Sequence, residues 1–265
     1  MPEITWGQQR QLRSFFVDSI RNHPQNPIVI SEGDSWFSFP VHANLIDHLD
    51  ELVGRRMSLL RLENPGDELL EMAAGSQFAM LRDYLDRYRP DVLLFSGGGN
   101  DIVGPELLQF IAPRPAAFDV DAALATDALR QRFQDIRAAY ARLIQMRREV
   151  APACIVVTHG YADVVPTGKK AIMWGFSAGP WIKPFLIERG YTDPGEHRAI
   201  VRALMAQFNE IVDSFADPHF IKVDFRGVIS DTEWNDEIHP SRKGFEDAAR
   251  KLHRTLQGLL PDKFP

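Results

Sequence analysis

The sequence Pro-Ile-Val-Ile-Ser-Glu-Gly-Asp-Ser, residues 27–35, decides the fold. A short apolar run ends at a glycine and is followed by an acid and a hydroxyl, which is typical of a strand buried on both faces and of the turn that leaves it. In open α/β sheets, ligands bind just beyond the carboxyl ends of the strands. Ser35 is therefore well placed to attack a ligand, although a weak nucleophile also needs a base and an oxyanion donor.

Similar short apolar runs recur along the chain and alternate with helical patterns. The strand candidates are Pro27–Ser31, Met57–Leu62, Asp91–Ser96, Cys154–Thr158 and Phe220–Phe225. The helix candidates are Val41–Val53, Gln77–Arg89, Asp121–Val150, a helix starting at Asp193-Pro194 and a helix after Pro240-Ser241. This alternation predicts a parallel sheet with helices on both faces. We predict an α/β fold, a flavodoxin-like doubly wound three-layer sandwich whose five strands have the order 2-1-3-4-5.

The length of 265 residues suits one globular domain, predicted to span residues 1–265. Residues 161–190 are irregular and rich in glycine, proline, lysine and aromatic residues. We interpret this segment as an insertion after the fourth strand that forms a lid or a specificity segment.

Charge and composition restrict the classes of partner and the compartment. The formal net charge is −6, and the sequence lacks a clustered basic stripe, so we expect no nucleic-acid partner. No apolar run approaches the roughly 20 residues of a membrane span. The N-terminal residues lack the apolar core of a signal peptide, and the single cysteine, Cys154, cannot form an internal disulfide. We therefore expect a cytoplasmic protein; its oligomeric state stays open.

Short motifs lie in the loops where such a sheet forms its site. They are Gly33-Asp34-Ser35, Asn64-Pro65-Gly66-Asp67, Gly97-Gly98-Gly99-Asn100-Asp101 and Asp236-Glu237-Ile238-His239-Pro240. At these residues the chain resembles the SGNH hydrolases, also called the GDSL esterase/lipase family, because G-D-S, a loop glycine, G-x-N-D and D-x-x-H occur in the expected order. Trp36 stands where the family name implies leucine, and Leu69 stands where many members carry a second glycine.

The resemblance implies a serine hydrolase. Ser35 would be the nucleophile, His239 the general base, and Asp236 the residue that orients His239. The backbone amides of Ser35 and Gly66 and the side-chain amide of Asn100 would form the oxyanion hole. These roles agree with the chemistry, since a neutral imidazole can take the proton of a serine, and an aspartate three residues away can fix its tautomer.

We therefore predict a serine esterase that hydrolyses carboxylic esters of small or medium acyl chains through an acyl-enzyme, without a metal or an organic cofactor. Its partner would be a small-molecule ester. The predicted substrate contacts are Trp36, Trp174, Phe176 and Trp181. Aromatic residues in such number are also typical of a core or of a self-association surface.

Other interpretations stay open at this point. Ser35 is also compatible with a helix N-cap. Residues 175–179 match the G-x-S-x-G nucleophile elbow of α/β-hydrolases, which would make Ser177 the nucleophile, although Pro180 and Pro184 stand where the helix of the elbow should begin. A two-metal phosphoesterase would need D-x-H, which the chain has at Asp217-Pro218-His219, and a paired G-H-x-H, which it lacks. A non-catalytic binding domain on the same sheet is a further alternative.

Overall fold

The strands and helices alternate along most of the chain. The structure, a computed structural model, describes residues 6–173 and 176–264. The strands are β1 (Ile28–Gly33), β2 (Ser58–Arg61), β3 (Val92–Ser96), β4 (Ile155–Gly160), β5 (Ala171–Met173), β6 (Phe176–Ala178) and β7 (Phe220–Asp224). The helices are α1 (Trp6–Asn22), α2 (Leu45–Leu52), α3 (Leu69–Met72), α4 (Gly75–Tyr88), α5 (Leu107–Phe110), α6 (Val120–Ala123), α7 (Asp127–Val150), α8 (Lys183–Glu188), α9 (Pro194–Asp213) and α10 (Arg242–Leu259).

A five-stranded parallel sheet, ordered β2-β1-β3-β4-β7, forms the centre of the fold. Its order confirms the predicted 2-1-3-4-5, because β7 is the fifth strand of this sheet. The central strand β3 is buried along its whole length, which explains its continuously apolar sequence. Helices flank the sheet: α2 packs against α10, while α7 packs against α3, α4, α5 and α9. The α/β fold class is therefore confirmed.

Side-chain caps mark the starts of α9 and α10 at the predicted residues. Asp193 accepts the amides of Gly195 and Glu196 at 2.7 and 3.1 Å, and α9 follows with proline at its first position. Ser241 accepts the Gly244 amide at 3.2 Å and caps α10. Both predicted helix starts are confirmed.

The predicted helix Asp121–Val150 is divided in the structure. The hydroxyl of Thr126 accepts the Leu129 amide at 3.1 Å and donates to the Phe110 carbonyl at 2.9 Å. The bond from the Leu129 amide caps the start of α7, whereas α6 already ends at Ala123, so the prediction of a single long helix was wrong. The capping bond to Leu129 is local, but the bond that ties Thr126 to Phe110 joins two segments and could not be predicted from the helical pattern.

The segment between β4 and α9 contains an antiparallel pair, β5 with β6, followed by α8. We call the pair of strands β5 and β6 the hairpin. Within residues 6–173 and 176–264, no helix is long and apolar enough to cross a lipid bilayer.

Candidate active site

A serine, a histidine and an aspartate form a hydrogen-bonded row at the carboxyl edge of the sheet. Ser35 lies in the turn after β1, and Asp236 and His239 lie on the loop that leads into α10. Ser35 Oγ lies 2.7 Å from His239 Nε2, and His239 Nδ1 lies 2.9 Å from Asp236 Oδ2. Ser35 and His239 are 7% and 5% exposed, and Asp236 is fully buried. The three residues predicted to act together are therefore adjacent.

Gly33 determines how β1 ends. Its φ is +155°, and a Cβ at this position would lie 2.5 Å from the carbonyl oxygen of Ser96 on β3, so no other residue fits without a shift of the backbone. The amide of Asp34 donates to the same carbonyl at 3.1 Å. Ser35 follows in a turn, and Asn44 caps the next helix. The N-cap interpretation of Ser35 is therefore wrong.

The carboxylate of Asp236 organises its own loop. Its Oδ1 accepts the backbone amides of Ile238 and His239 at 3.0 and 2.9 Å, and its Oδ2 accepts the side-chain amide of Asn235 at 3.0 Å. Burial disfavours the ionised carboxylate, but the hydrogen bonds from His239 and from the other donors outweigh burial and lower the pKa of Asp236. An ionised Asp236 fixes the proton of the imidazole on Nδ1, which leaves Nε2 to accept a proton from Ser35.

Two aromatic side chains enclose the imidazole of His239. Phe39 stacks on it with ring centroids 4.4 Å apart, and Trp181 meets it edge-on with centroids 5.2 Å apart. Rotation of a ring held on both sides would require both neighbours to move. The orientation of His239 is therefore set by packing as well as by Asp236.

Two of the predicted oxyanion donors, Gly66 and Asn100, lie on loops that contact each other. The side-chain nitrogen of Asn100 donates to the Asp67 carbonyl at 2.9 Å, which places Asn100 one residue away from Gly66. Gly66 is exposed with a φ of +91°, a backbone conformation that favours glycine. Asp101 fixes this region by accepting the Leu69 amide at 2.7 Å. Leu69 thus contributes to the site region through its backbone amide.

A small cavity of about 30 Å³ opens beside Ser35. This volume has room for about two water molecules. Its lining consists of Asp34, Ser35, Trp36, Gly99, Asn100, Val103, Tyr161, Val164, Met205 and Ile238. Most of these groups are apolar, and Gly66 lies outside the lining. The predicted nucleophile and Asn100 thus share one narrow space.

The sequence of residues 33–246 matches the family model of the GDSL-like lipase/acylhydrolases, and this range includes Ser35, Asn100, Asp236 and His239. The chain belongs to this family. It is therefore an ester-bond hydrolase, as predicted. A comparison with curated protein sequences finds no significant match.

Solved structures with similar folds include two hydrolases and an acyltransferase. An extracellular lipase from Streptomyces rimosus has a TM-score of 0.50 and 15% identity over 86% of this chain and 99% of that one. The acetyl xylan esterase Est2A from the rumen bacterium Butyrivibrio proteoclasticus has a TM-score of 0.51 and 12% identity over 89% and 64%. The salicylyl-acyltransferase SsfX3 from a tetracycline biosynthetic pathway has a TM-score of 0.50 and 16% identity over 91% and 56%. At these identities the similarity shows the fold alone.

Trp36 connects two loops of the site in this GDSL-family hydrolase. It is 2% exposed, stacks on Phe225 with centroids 6.0 Å apart, and donates its indole N–H to the Ile238 carbonyl at 3.1 Å. Trp36 also lines the cavity beside Ser35. The tryptophan thus replaces the leucine of the family name with a side chain that also holds the loop of His239.

The other predicted substrate contacts differ in position. Trp181 is half-buried and lies against His239, as described above. Phe176 is 78% exposed on β6. Trp174 lies outside the described residues. Of these three aromatic residues, Trp181 is the one that the structure places at the serine–histidine pair.

Ser177 does not form a nucleophile elbow. It is an exposed residue of β6, paired with Ile172 of the antiparallel strand β5, and α8 begins only at Lys183. An elbow requires a sharp turn directly from a strand into a helix. This geometry contradicts the α/β-hydrolase alternative.

The metal-dependent alternative lacks a suitable cluster. Among the described residues, no group of three or more histidine, cysteine, aspartate or glutamate side chains is arranged to hold a metal ion. Asp217 precedes β7, at the opposite edge of the sheet from Ser35, and its carboxylate pairs with Arg147 and Arg148. Asp217 of the D-x-H sequence therefore has a structural role as the partner of two arginines, and it lies far from the motif loops.

A buried polar cluster lies beneath the site, and the sequence indicated it only in part. Asp34 accepts the Trp36 amide at 3.0 Å and the Ser96 hydroxyl at 2.7 Å, and it also accepts the hydroxyl of Tyr161. Burial raises the pKa of Asp34 despite these hydrogen bonds. The Ser96 oxygen in turn lies 2.9 Å from Nε2 of His159. Ser96, at the end of β3, and Tyr161, just after β4, are the members of this cluster that sequence reasoning missed.

His159 must be neutral in this environment. Because the Ser96 hydroxyl donates to Asp34, its oxygen accepts a proton from His159 Nε2, while His159 Nδ1 is buried without a partner among the described residues. Burial lowers the pKa of His159 from 6.5 to about 3.

Because the pKa of His159 is lower in the folded chain than in the unfolded chain, we expect the protein to lose stability on acidification. Between pH 6.5 and about 3 the unfolded chain binds a proton at His159 and the folded chain does not, so stability falls as pH falls. At pH 5 we expect a loss of about 2 kcal/mol from this residue. Urea unfolding at pH 7.5 and pH 5 measures it, with His159→Gln as the comparison because glutamine does not titrate. The same pH dependence in both proteins would contradict the prediction.

Proposed function

We propose that this hydrolase is a serine esterase that cleaves carboxylic esters of short acyl chains through an acyl-enzyme at Ser35. The observation that carries the proposal is the unbroken row from Ser35 Oγ to His239 Nε2, at 2.7 Å, and from His239 Nδ1 to Asp236, at 2.9 Å. A serine hydroxyl next to an oriented, neutral imidazole is an activated nucleophile.

The reaction proceeds in two halves. Ser35 Oγ bonds to the ester carbonyl carbon while His239 Nε2 takes the hydroxyl proton, and Asp236 stabilises the resulting imidazolium. The tetrahedral intermediate then breaks its bond to the alcohol oxygen, and His239 gives its proton to the departing alcohol. Water attacks the acyl-enzyme with His239 again as base, which releases the carboxylic acid and restores Ser35.

The oxyanion is stabilised by amide donors on separate loops. The side-chain nitrogen of Asn100 carries two N–H groups, so one can hold the Asp67 carbonyl at 2.9 Å while the other points to the oxyanion. The backbone amides of Ser35 and Gly66 supply the other donors. Donors of this kind contribute about 3–4 kcal/mol each to transition-state stabilisation.

The preference for short acyl chains follows from the cavity beside Ser35. A space of about 30 Å³, walled by Trp36, Val103 and Tyr161, accepts an acetyl group more readily than a long chain. Because the Trp36 indole donates to the Ile238 carbonyl, replacing Trp36 to enlarge the cavity would also disturb the loop that carries His239.

An ester panel together with an active-site probe tests this function. We expect p-nitrophenyl acetate to be hydrolysed with a kcat/KM at least about tenfold above that for the octanoate ester. A fluorophosphonate probe should label the protein on one peptide, the one that contains Ser35. Folded protein that hydrolyses no ester and remains unlabelled would instead support the non-catalytic binding domain.

A further inference from the structure

The loop between Asp236 and His239 carries a fully buried carboxylate that the reaction does not use. Glu237 Oε1 accepts the backbone amides of Gly168 and Lys183 at 2.8 and 3.1 Å. Its Oε2 accepts the backbone amides of Trp181 and Ile182 at 2.6 and 2.8 Å. Four main-chain N–H groups thus donate to one carboxylate. Such charge-assisted hydrogen bonds compensate for the burial of the side chain.

The four donors lie on both sides of the hairpin. Gly168 precedes β5, while Trp181, Ile182 and Lys183 follow β6. Glu237 therefore joins the two ends of the hairpin at its base. We call Glu237 and its four amide donors the clasp. A further contact, from the Gly104 amide to the Trp181 carbonyl at 2.8 Å, holds the same position from the loop after β3.

The clasp fixes one wall of the imidazole site. Trp181, whose amide is bound by Glu237, places its ring edge-on to His239 at 5.2 Å. Glu237 and His239 are two residues apart on the same loop, and Asp236 holds the backbone of that loop through two amides. The position of the hairpin base and the orientation of the imidazole are thus set by adjacent residues.

We propose that Glu237 is a positioning residue that couples the 161–190 segment to His239 by holding Trp181 against the imidazole. The inference rests on the proposed function, because it assigns Glu237 a role in the hydrolysis at Ser35. Glu237 acts through Trp181 and not on the substrate. The clasp thereby makes the segment part of the site rather than an independent cover over it.

A double-mutant cycle tests the coupling. In Glu237→Gln, the amide oxygen still accepts two N–H groups, but the amide nitrogen faces the other two donors, so one side of the clasp opens. We expect kcat for p-nitrophenyl acetate to fall about 10- to 100-fold with a smaller change in KM, because the base is misplaced. Trp181→Ala should lower kcat to a similar extent. The double variant should be no slower than the slower single variant, since both changes remove the same contact.

Two further measurements separate positioning from a general loss of structure. Hydrogen exchange should accelerate at the amides of Trp181, Ile182 and Lys183 in Glu237→Gln, while the amides of β3 stay protected. Glu237→Asp keeps the charge but shortens the reach, so it should lie between wild type and Glu237→Gln in kcat. Asp217→Asn, which neutralises a buried carboxylate at the opposite sheet edge, should lower stability and leave kcat unchanged.

The outcomes distinguish this inference from the proposed function. If wild-type protein hydrolyses the ester but the two single effects multiply in the double variant, or if Glu237→Gln leaves kcat unchanged, the inference fails and the proposed function stands. If wild-type protein is folded but inactive and unlabelled by the fluorophosphonate, the proposed function fails and the inference fails with it.

Discussion

Ser35→Ala should lower kcat for p-nitrophenyl acetate by at least about 10⁴-fold and abolish labelling by a fluorophosphonate. The reason is that Ser35 Oγ is the hydroxyl within hydrogen-bond distance of His239 Nε2, at 2.7 Å. Alanine removes this oxygen from a nearly buried position without adding volume, so the fold should persist. Steady-state kinetics and intact-mass detection of the acyl adduct measure the two effects.

Ser177→Ala is the matched control. It removes the same hydroxyl from an exposed strand of the hairpin, and we expect unchanged kinetics and unchanged labelling. Loss of activity in Ser177→Ala with full activity in Ser35→Ala would reverse the assignment of the nucleophile.

Asp236→Asn should lower kcat by up to about 10⁴-fold. The asparagine oxygen can still accept the backbone amides of Ile238 and His239, so the loop should keep its shape. Its NH₂ group, however, would face His239 Nδ1 and favour the tautomer in which Nδ1 is the acceptor and Nε2 carries the proton. A protonated Nε2 cannot take the proton of Ser35, and the imidazolium also loses its carboxylate partner.

Two controls accompany the kinetics of Asp236→Asn. Circular dichroism measures whether the variant is folded, and Asp217→Asn makes the same carboxylate-to-amide exchange away from the site. We expect both variants to be folded at the assay temperature, with the rate lost in Asp236→Asn alone. A rate equal to that of wild type would remove Asp236 from the reacting groups.

The sheet and the convergence of the motif loops could be predicted because they depend on local sequence. Each sheet strand is a short apolar run, and β3 has to be apolar throughout because both of its faces are covered. The polar residues of the site follow the strand ends, so their meeting is a consequence of parallel topology. Ser35, Asp236 and His239 were found for this reason, together with the family resemblance. Their catalytic roles and the cytoplasmic location stay predictions.

The parts that could not be predicted depend on contacts between distant segments. Thr126, which caps α7, also bonds to the Phe110 carbonyl, and Tyr161 bonds to a carboxylate 127 positions away. Glu237 looked like a spacer within D-x-x-H, since its four donors become neighbours only in the folded chain. The burial of Trp36 could not be predicted either, because an aromatic residue next to a nucleophile is compatible with a substrate pocket and with a core.

Two hydrogen bonds join the loop after β1 to the loop before α10: the Ser35–His239 bond across 204 positions and the Trp36–Ile238 bond across 202 positions. Both bonds join segments more than 200 residues apart, so the nucleophile acquires its base through the tertiary fold and not through local structure. A partly folded chain, or one nicked between these loops and separated, carries an ordinary serine. Hydrolysis by this protein therefore requires that the whole sheet has assembled.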